Sequence, residues 1–421
     1  MRCERFELTR DPAALAEQLR ALIPAPRSVA GVVAEIIERV GERGDEAVLE
    51  YTRTLDTGGA DPRPLRVPEH DLDAAAAGIT PDVRIALERA IANVEAVAGA
   101  QVPRHAAGIA RQGHRVRVNR VPVARAAVYV PSGRAPYPST VVMGVIPARV
   151  AGVQEIVVCA PPGADSEIDP LIMGACRLAG ASALYRMGGA QAIAALALGT
   201  ESVPRVDVIV GPGSLYVQEA KRQLSGHAGI DGFAGPSDLI VIADPATDPE
   251  PVALDLLAQA EHGHGTVVIA VSRSAALLDA LAHQLGAAAD TGAVAALVEV
   301  ADAETALGLT QAFAPEHLEL IGPEAEALAD RVTRAGCVFV GALSATAFGD
   351  YIVGSNHILP TAGAARFASG LSPEHFLRTV CEVRVTDASE LARIGAPLAR
   401  AEGFELHARS MEARIRDNQP R

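Results

Sequence analysis

Lysine is almost missing from this chain of 421 residues: Lys221 is the only one, and arginine carries every other fixed basic charge. Tryptophan is absent and aromatic residues make up 3%, so aliphatic side chains must fill the interior. The five cysteines (Cys3, Cys159, Cys176, Cys337 and Cys381) are widely scattered and odd in number. That excludes a disulfide framework and a Cys-x-x-Cys zinc pattern, and makes a reducing cytoplasm the expected compartment. Basic residues are outnumbered, 37 against 51, for a net charge of −14. Nucleic acid and anionic membrane surfaces are thereby excluded as partners. Long hydrophobic runs are lacking too. The tract 140–148 is cut by Pro147 and Arg149 before it could span a bilayer. Residues 1–10 carry charges and no apolar core, so no secretory leader is expected. The lone lysine leaves two readings open: a compact ammonium is wanted at that place, or its survival is chance.

Hydrophobic residues reach 49% and charged ones 21%, which fits globular cores. The length predicts two or three domains. Period-3.6 apolar spacing at 11–23, 29–51 and 81–100 predicts a helical N-terminal region. From 114–121, which alternates like an exposed strand, the texture changes. Short Val/Ile/Ala runs at 126–130, 155–160, 183–187 and 207–210 alternate with helical segments at 139–151, 169–179 and 189–198. A second series of strands follows at 239–243, 266–271, 297–300, 318–321 and 337–340. Helical patterns at 250–261, 274–285, 304–313 and 324–334 separate these. Such alternation predicts two parallel-sheet α/β modules, meeting near 229–237. Beyond about residue 372 the pattern is helical and polar.

The strand-to-loop junctions carry the candidate chemistry. Tyr129-Val130-Pro131-Ser132-Gly133, Met187-Gly188-Gly189-Ala190-Gln191 and Gly211-Pro212-Gly213-Ser214 each follow a predicted strand. Ligands of parallel sheets bind at such ends, and glycines admit a phosphate close to backbone N–H groups. The Gly-x-Gly-x-x-Gly fingerprint is absent, so ordinary turns remain open as a reading. Gln259 and His262 are three apart and share a helix face that can hold a divalent metal or form a polar patch. Asp350 and His357 lie in one glycine-rich loop, and His407 follows Glu402 by five positions. These are nitrogen and oxygen donors without thiolate, which suits an open catalytic metal. The tripeptide Pro-Glu-His occurs three times, but only Glu316-His317 follows a predicted helix and enters a strand. That pair is the acid–base candidate.

Taken together, these motifs resemble histidinol dehydrogenase from about Val121 to His407. The resemblance is carried by Tyr129-Val130-Pro131, Met187-Gly188-Gly189-Ala190-Gln191-Ala192, Gly211-Pro212-Gly213 and Ala234-Gly235-Pro236-Ser237. Ala258-Gln259-Ala260-Glu261-His262-Gly263, Phe313-Ala314-Pro315-Glu316-His317-Leu318, Asn356-His357-Ile358-Leu359-Pro360-Thr361 and the 402–407 segment complete it. It implies an α/β fold of two incomplete Rossmann-like parallel-sheet modules, with a helical N-terminal region and a helical C-terminal dimerisation tail. The implied domains are 1–24, 25–128 with 237–371 (metal and catalytic residues), 129–236 (cofactor side), and an exchanged tail, 372–421.

By the same resemblance, one zinc per subunit is held by Gln259, His262, Asp350 and the partner subunit's His407, in a homodimer. Glu316 and His317 are the catalytic pair. Ser237, His357 and Glu402 contact substrate beside the four metal ligands and His317. Tyr129, Gln191 and Ser214 stand at nicotinamide-cofactor positions. The implied reaction oxidises L-histidinol to L-histidine through bound L-histidinal and reduces two NAD, the last step of histidine biosynthesis. Ser214 replaces the family's Asn, Asp238 its Glu, and His264-Gly265 its Asp-Ala; His264 is expected at the surface or behind the ligands. The rival readings are a zinc/NAD dehydrogenase of another small alcohol such as a sulfonated propanediol, a metal-dependent hydrolase, and an inactive binding protein. The hydrolase leaves the Tyr129, Gln191 and Gly211 loops without a role, and the intact acid–base pair speaks against the last.

Overall fold

The computed structural model describes residues 1–8, 11–23, 28–102, 107–131, 135–233 and 235–415. Ser132, Gly133 and Ala234 of the motifs, the expected boundary at 24–25 and the tail end 416–421 lie outside the described residues. The chain forms two compact units, 1–101 with 124–376, and 102–123 with 377–421.

The first unit contains two parallel sheets. One is built from β1 (Arg2–Glu7), β9 (Asp238–Ala243), β10 (Val267–Ser272), β11 (Val294–Glu299), β12 (His317–Ile321) and β13 (Cys337–Val340). Their order is β1-β11-β10-β9-β12-β13. Unbroken runs such as Leu239-Ile240-Val241-Ile242 suit strands covered on both faces. Helices Pro249–Ala260 and Ala275–Ala287 bury Leu256, Leu278 and Leu281 against one face. Helices Pro12–Ala21 and Ala303–Phe313 bury Leu19 and Leu309 against the other. Asp11, Asp248, Ser274 and Asp302 cap these four helices by accepting backbone N–H groups, which fixes their starts.

The other sheet contains β4 (Arg125–Tyr129), β5 (Glu155–Ala160), β6 (Ala183–Arg186), β7 (Val208–Val210) and β8 (Gly229–Ile230), ordered β6-β5-β4-β7-β8. The β4 strand straddles the boundary expected at 128–129. Helix Pro138–Ala151 lies so close to it that a Cβ on Gly144 would stand 2.3 Å from Val128 Cγ1. Strand order reverses between β9 and β12 in the first sheet and between β4 and β7 in the second. Crevices form outside the carboxyl ends of the strands at such reversals, as after Tyr129 of β4.

The second unit holds an antiparallel sheet of β2 (Ala107–Arg111), β3 (His114–Pro122) and β14 (Leu377–Val385), with helices Ser389–Ala401 and Glu405–Glu412. Four strands went unpredicted: β1, β2, β8 and β14. The helix expected over 324–334 is instead a short helix, Pro323–Glu326, and a 3-10 turn, Ala329–Arg331. No helix among the described residues is long and apolar enough to cross a membrane.

Glu319 is an unusual occupant of β12. Its Oε1 accepts from Thr346 N at 2.8 Å, fixing the start of helix Thr346–Tyr351, while its buried Oε2 has no hydrogen-bond partner among the described residues. Burial, and then the charge of Asp255, push its pKa up to about 8 from 4.5. An acid raised in this way stabilises the fold fully below its unfolded pKa. That contribution is lost as pH rises through the folded one. Glu319→Gln keeps the Thr346 acceptor and removes the charge. In thermal melts it is expected to match wild type at about pH 5 and exceed it by roughly 2 °C at about pH 9. A gain independent of pH would assign the effect to packing.

Candidate active site at the strand ends of two parallel sheets

The amino ends of β9 and β12 lie side by side, with His317 in register with Leu239. Ser237, just before β9, therefore meets Glu316, just before β12. Ser237 Oγ donates to Glu316 Oε2 at 2.5 Å, and the same oxygen accepts from Asp238 N at 3.2 Å. Asp238 Oδ1 accepts in return from Glu316 N at 2.7 Å. Gln259, buried in the last turn of helix Pro249–Ala260, donates through Nε2 to Ser237 Oγ at 2.5 Å. Three expected site residues are thus joined in one hydrogen-bonded run.

His317 lies 3.7 Å (Nδ1) from Glu316 Oε2 and 4.0 Å (Nε2) from Asp350 Oδ1. Asp350 sits near the end of helix Thr346–Tyr351. Its backbone oxygen accepts from His357 Nδ1 at 3.0 Å, so that ring is protonated at Nδ1. His357 Nε2 is then left to accept from Thr140 Oγ1 at 3.2 Å. Asn356 Nδ2 donates to Met143 O at 2.8 Å. These two bonds tie the loop after Asp350 to the helix that follows β4.

Burial dominates the electrostatics. It pushes Glu316 up to about 7 against the opposing Ser237 and Asp238 hydrogen bonds. Asp238 also rises to about 7, through burial and then the charge of Glu316. Burial lowers His317, and takes His357 down to about 4. Both imidazoles are therefore neutral at pH 7 and Glu316 is poised to hold or release a proton there. Asp350 is raised by burial, with His317 and His262 opposing.

No group of three or more His, Cys, Asp or Glu side chains among the described residues could hold a metal ion. The set expected from one chain contains only two such side chains, His262 and Asp350, completed by the Gln259 amide. Its chemistry fits a metal nonetheless. His262 Nδ1 donates to Gln259 O at 3.1 Å, leaving Nε2 with a free lone pair on an exposed ring. Imidazole ligands are held in this way, by a backbone carbonyl on the other nitrogen. The Asp350 carboxylate accepts no hydrogen bond from the described residues, and a carboxylate without donors favours a cation.

On the other sheet the candidate residues cluster at the carboxyl ends. The Tyr129 hydroxyl accepts from Gly189 N at 3.1 Å, and a Cβ on Gly211 (φ 112°) would stand 2.2 Å from Tyr129 O. Gln191 is fully buried and donates to Asp56 Oδ2 at 3.3 Å. Ser214 is exposed at the start of helix Leu215–Leu224 and makes no capping bond. Lys221 is 1% exposed, and its ammonium donates to Asp231 Oδ1 (2.8 Å) and Gly211 O (2.5 Å). Asp231 Oδ2 accepts from Gly211 N at 2.7 Å. One buried ion pair thus fixes both backbone groups of Gly211, a task for a compact charge that arginine's planar fork would not fill.

Glu402 and His407 belong to the second compact unit, where both are exposed; the His407 ring meets Phe404 edge-on at 5.0 Å. His264 is exposed, with Nδ1 on Gly292 O at 3.2 Å. Sequence reasoning passed over Asp56, which lies far along the chain from its partner and is marked by no motif. Thr140 ends the Tyr137-Pro138-Ser139-Thr140 motif, but its bond to His357, 217 positions away, could not be read from it.

The family model for histidinol dehydrogenase matches residues 24–415 of this chain. The histidinol dehydrogenase of Parasynechococcus marenigrum is 44% identical over 405 residues, covering 92% of each chain. That of Cereibacter sphaeroides is 43% identical over 402 residues, again 92% of each. The crystal structure of histidinol dehydrogenase from Elizabethkingia anophelis superposes with a TM-score of 0.90 at 30% identity, covering 98% of each chain.

Proposed function

Because the chain belongs to the histidinol dehydrogenase family, we propose that the cluster around Glu316 and His317 oxidises L-histidinol to L-histidine through bound L-histidinal, with zinc and two NAD. The observation that carries this reading is the joined run from Gln259 through Ser237 to Glu316, with neutral His317 against it. Gln259, His262, Asp350 and His407 of the partner subunit would hold the zinc. When bound, it supplies a Lewis-acidic anchor for the amine and imidazole of the substrate. Tyr129, Gln191 and Ser214 would hold NAD, the hydride acceptor in both oxidations.

The chain's own residues then move the protons. His317, neutral and buried, takes the alcohol proton as hydride leaves the carbinol carbon. Ser237 and the Asp238 N–H keep Glu316 aimed, and its carboxylate takes a proton from the water that adds to the aldehyde. The second hydride leaves the resulting hydrate, giving the carboxylate product. Four electrons leave the substrate in all. His357 would contact the substrate, and Glu402 would offer a carboxylate to the N–H groups of its amine.

The discriminating assay follows nicotinamide absorbance with L-histidinol, with and without a chelator. Two NADH per histidinol, lost with chelator and restored by zinc, is the expected result. Reduction only with another alcohol would select the sulfonated-propanediol reading, and cleavage without NAD the hydrolase.

The metal assignment places His407 on the neighbouring subunit of a cytoplasmic homodimer. Asp350→Ala and His407→Ala are each expected to be inactive. Mixed and allowed to exchange subunits, they should recover about a quarter of wild-type activity, since a mixed dimer rebuilds one of its two sites. No recovery on mixing, despite demonstrated exchange, would place the tail in its own subunit's site.

A further inference from the structure

The N-terminal helical region, to which the sequence assigns no chemistry, supplies one carboxylate to the cofactor side of the molecule. Helix Asp45–Tyr51 runs into a π-helical turn, Thr52–Asp56, and Asp56 ends against Gln191, 135 positions away. Gln191 lies in the first turn of helix Gly189–Leu198, beyond β6 and beside Tyr129. Its Nε2 donates to Asp56 Oδ2 at 3.3 Å, whereas its Oε1 is buried with no hydrogen-bond partner among the described residues. The oxygen has room there because residue 189 is glycine; a Cβ would stand 2.6 Å from it.

An amide can present either end, but an ionised carboxylate only accepts hydrogen bonds. Asp56 therefore selects the orientation in which the amine points towards it and the carbonyl points away. Leaving that carbonyl unpaired in a buried place is unfavourable, and a ligand's donor would recover the loss. The carboxamide amine of nicotinamide is such a donor. We propose that Asp56 is a positioning residue for the cofactor, orienting the Gln191 amide so that its carbonyl is left to accept from the nicotinamide carboxamide. This rests on the reading that Gln191 stands at the NAD site. The facing groups are the Tyr129 hydroxyl from β4 and the Gly188 N–H, which favours the ionised carboxylate; burial opposes it and takes Asp56 up to about 6.

The test is NADH binding, followed by the coenzyme's fluorescence in a chain that has no tryptophan, together with steady-state kinetics. Asparagine offers both a donor and an acceptor and so no longer selects an orientation. Asp56→Asn is expected to weaken NADH binding and raise the NAD KM by about tenfold. The histidinol KM and the melting temperature should stay at wild-type values. In a Gln191→Ala background the same substitution should change NADH binding no further. Asp56→Glu, which keeps an acceptor-only group, should bind within about threefold of wild type. Unchanged binding in Asp56→Asn would overturn the proposal, as would an equal loss in the Gln191→Ala background, which marks direct contact or general damage. If the wild type itself neither binds NADH nor reduces NAD, the cofactor reading fails first.

Discussion

His317→Asn is expected to lower kcat with histidinol by roughly a thousandfold, the scale of a lost general base. Asparagine is polar and close in size, so the opening of β12 should survive and histidinol KM should move little. What disappears is a proton acceptor in a place where water cannot replace it. The residue is 4% exposed, its Nδ1 has no hydrogen-bond partner among the described residues, and burial keeps it neutral at pH 7. Supplied histidinal should be oxidised with a smaller deficit, because addition of water depends on Glu316. The measurement is NADH formation from each substrate by the same preparation. Equal losses on both would mean that His317 orients the substrate and does not take the alcohol proton.

The βα alternation was legible because strands buried on both faces must be unbroken apolar runs, and Leu239-Ile240-Val241-Ile242 can be little else. β1 was not, for the opposite reason. Its Arg2-Cys3-Glu4-Arg5-Phe6-Glu7 sequence is mostly charged, and it joins the sheet at an edge by parallel pairing with β11. β14 is similar: Val380, Val383 and Val385 are exposed, so no buried face imposes a period on the sequence. At 324–334 helical spacing was present, but the chain leaves the helix after Glu326.

Site chemistry follows the same divide. Glu316-His317 could be singled out because a helix-to-strand junction precedes it. The other two Pro-Glu-His copies open helix Glu69–Gly78 and fill a 3-10 turn, Pro373–Phe376. Lys221 could be noticed by composition alone, and the structure gives the single ammonium a buried place against Asp231 and Gly211. Asp56 offered no such signal. It is one acid among 51 acidic residues, and what distinguishes it is the amide it meets across the fold. Local pattern reveals what a residue's own element needs. A pairing between distant elements appears only once the sheets have closed.

Glu316→Gln separates the two half-reactions from the other side. It keeps an oxygen for Ser237 Oγ and Asp238 N but cannot accept a proton, so oxidation of supplied histidinal should fall by about a hundredfold. The pH profile gives the stronger evidence. Wild-type Glu316 has its pKa pushed up to about 7, so its carboxylate form, the one that accepts a proton, fills in as pH rises. The aldehyde rate should climb through that region and level off above it, and the glutamine variant should lose the climb along with the rate. Histidinol oxidation to bound histidinal, followed in a single turnover, should be slowed far less. A glutamine variant that handles histidinal at the wild-type rate would leave the buried carboxylate without a proton to move. The aldehyde hydrate would then have to form by way of another group.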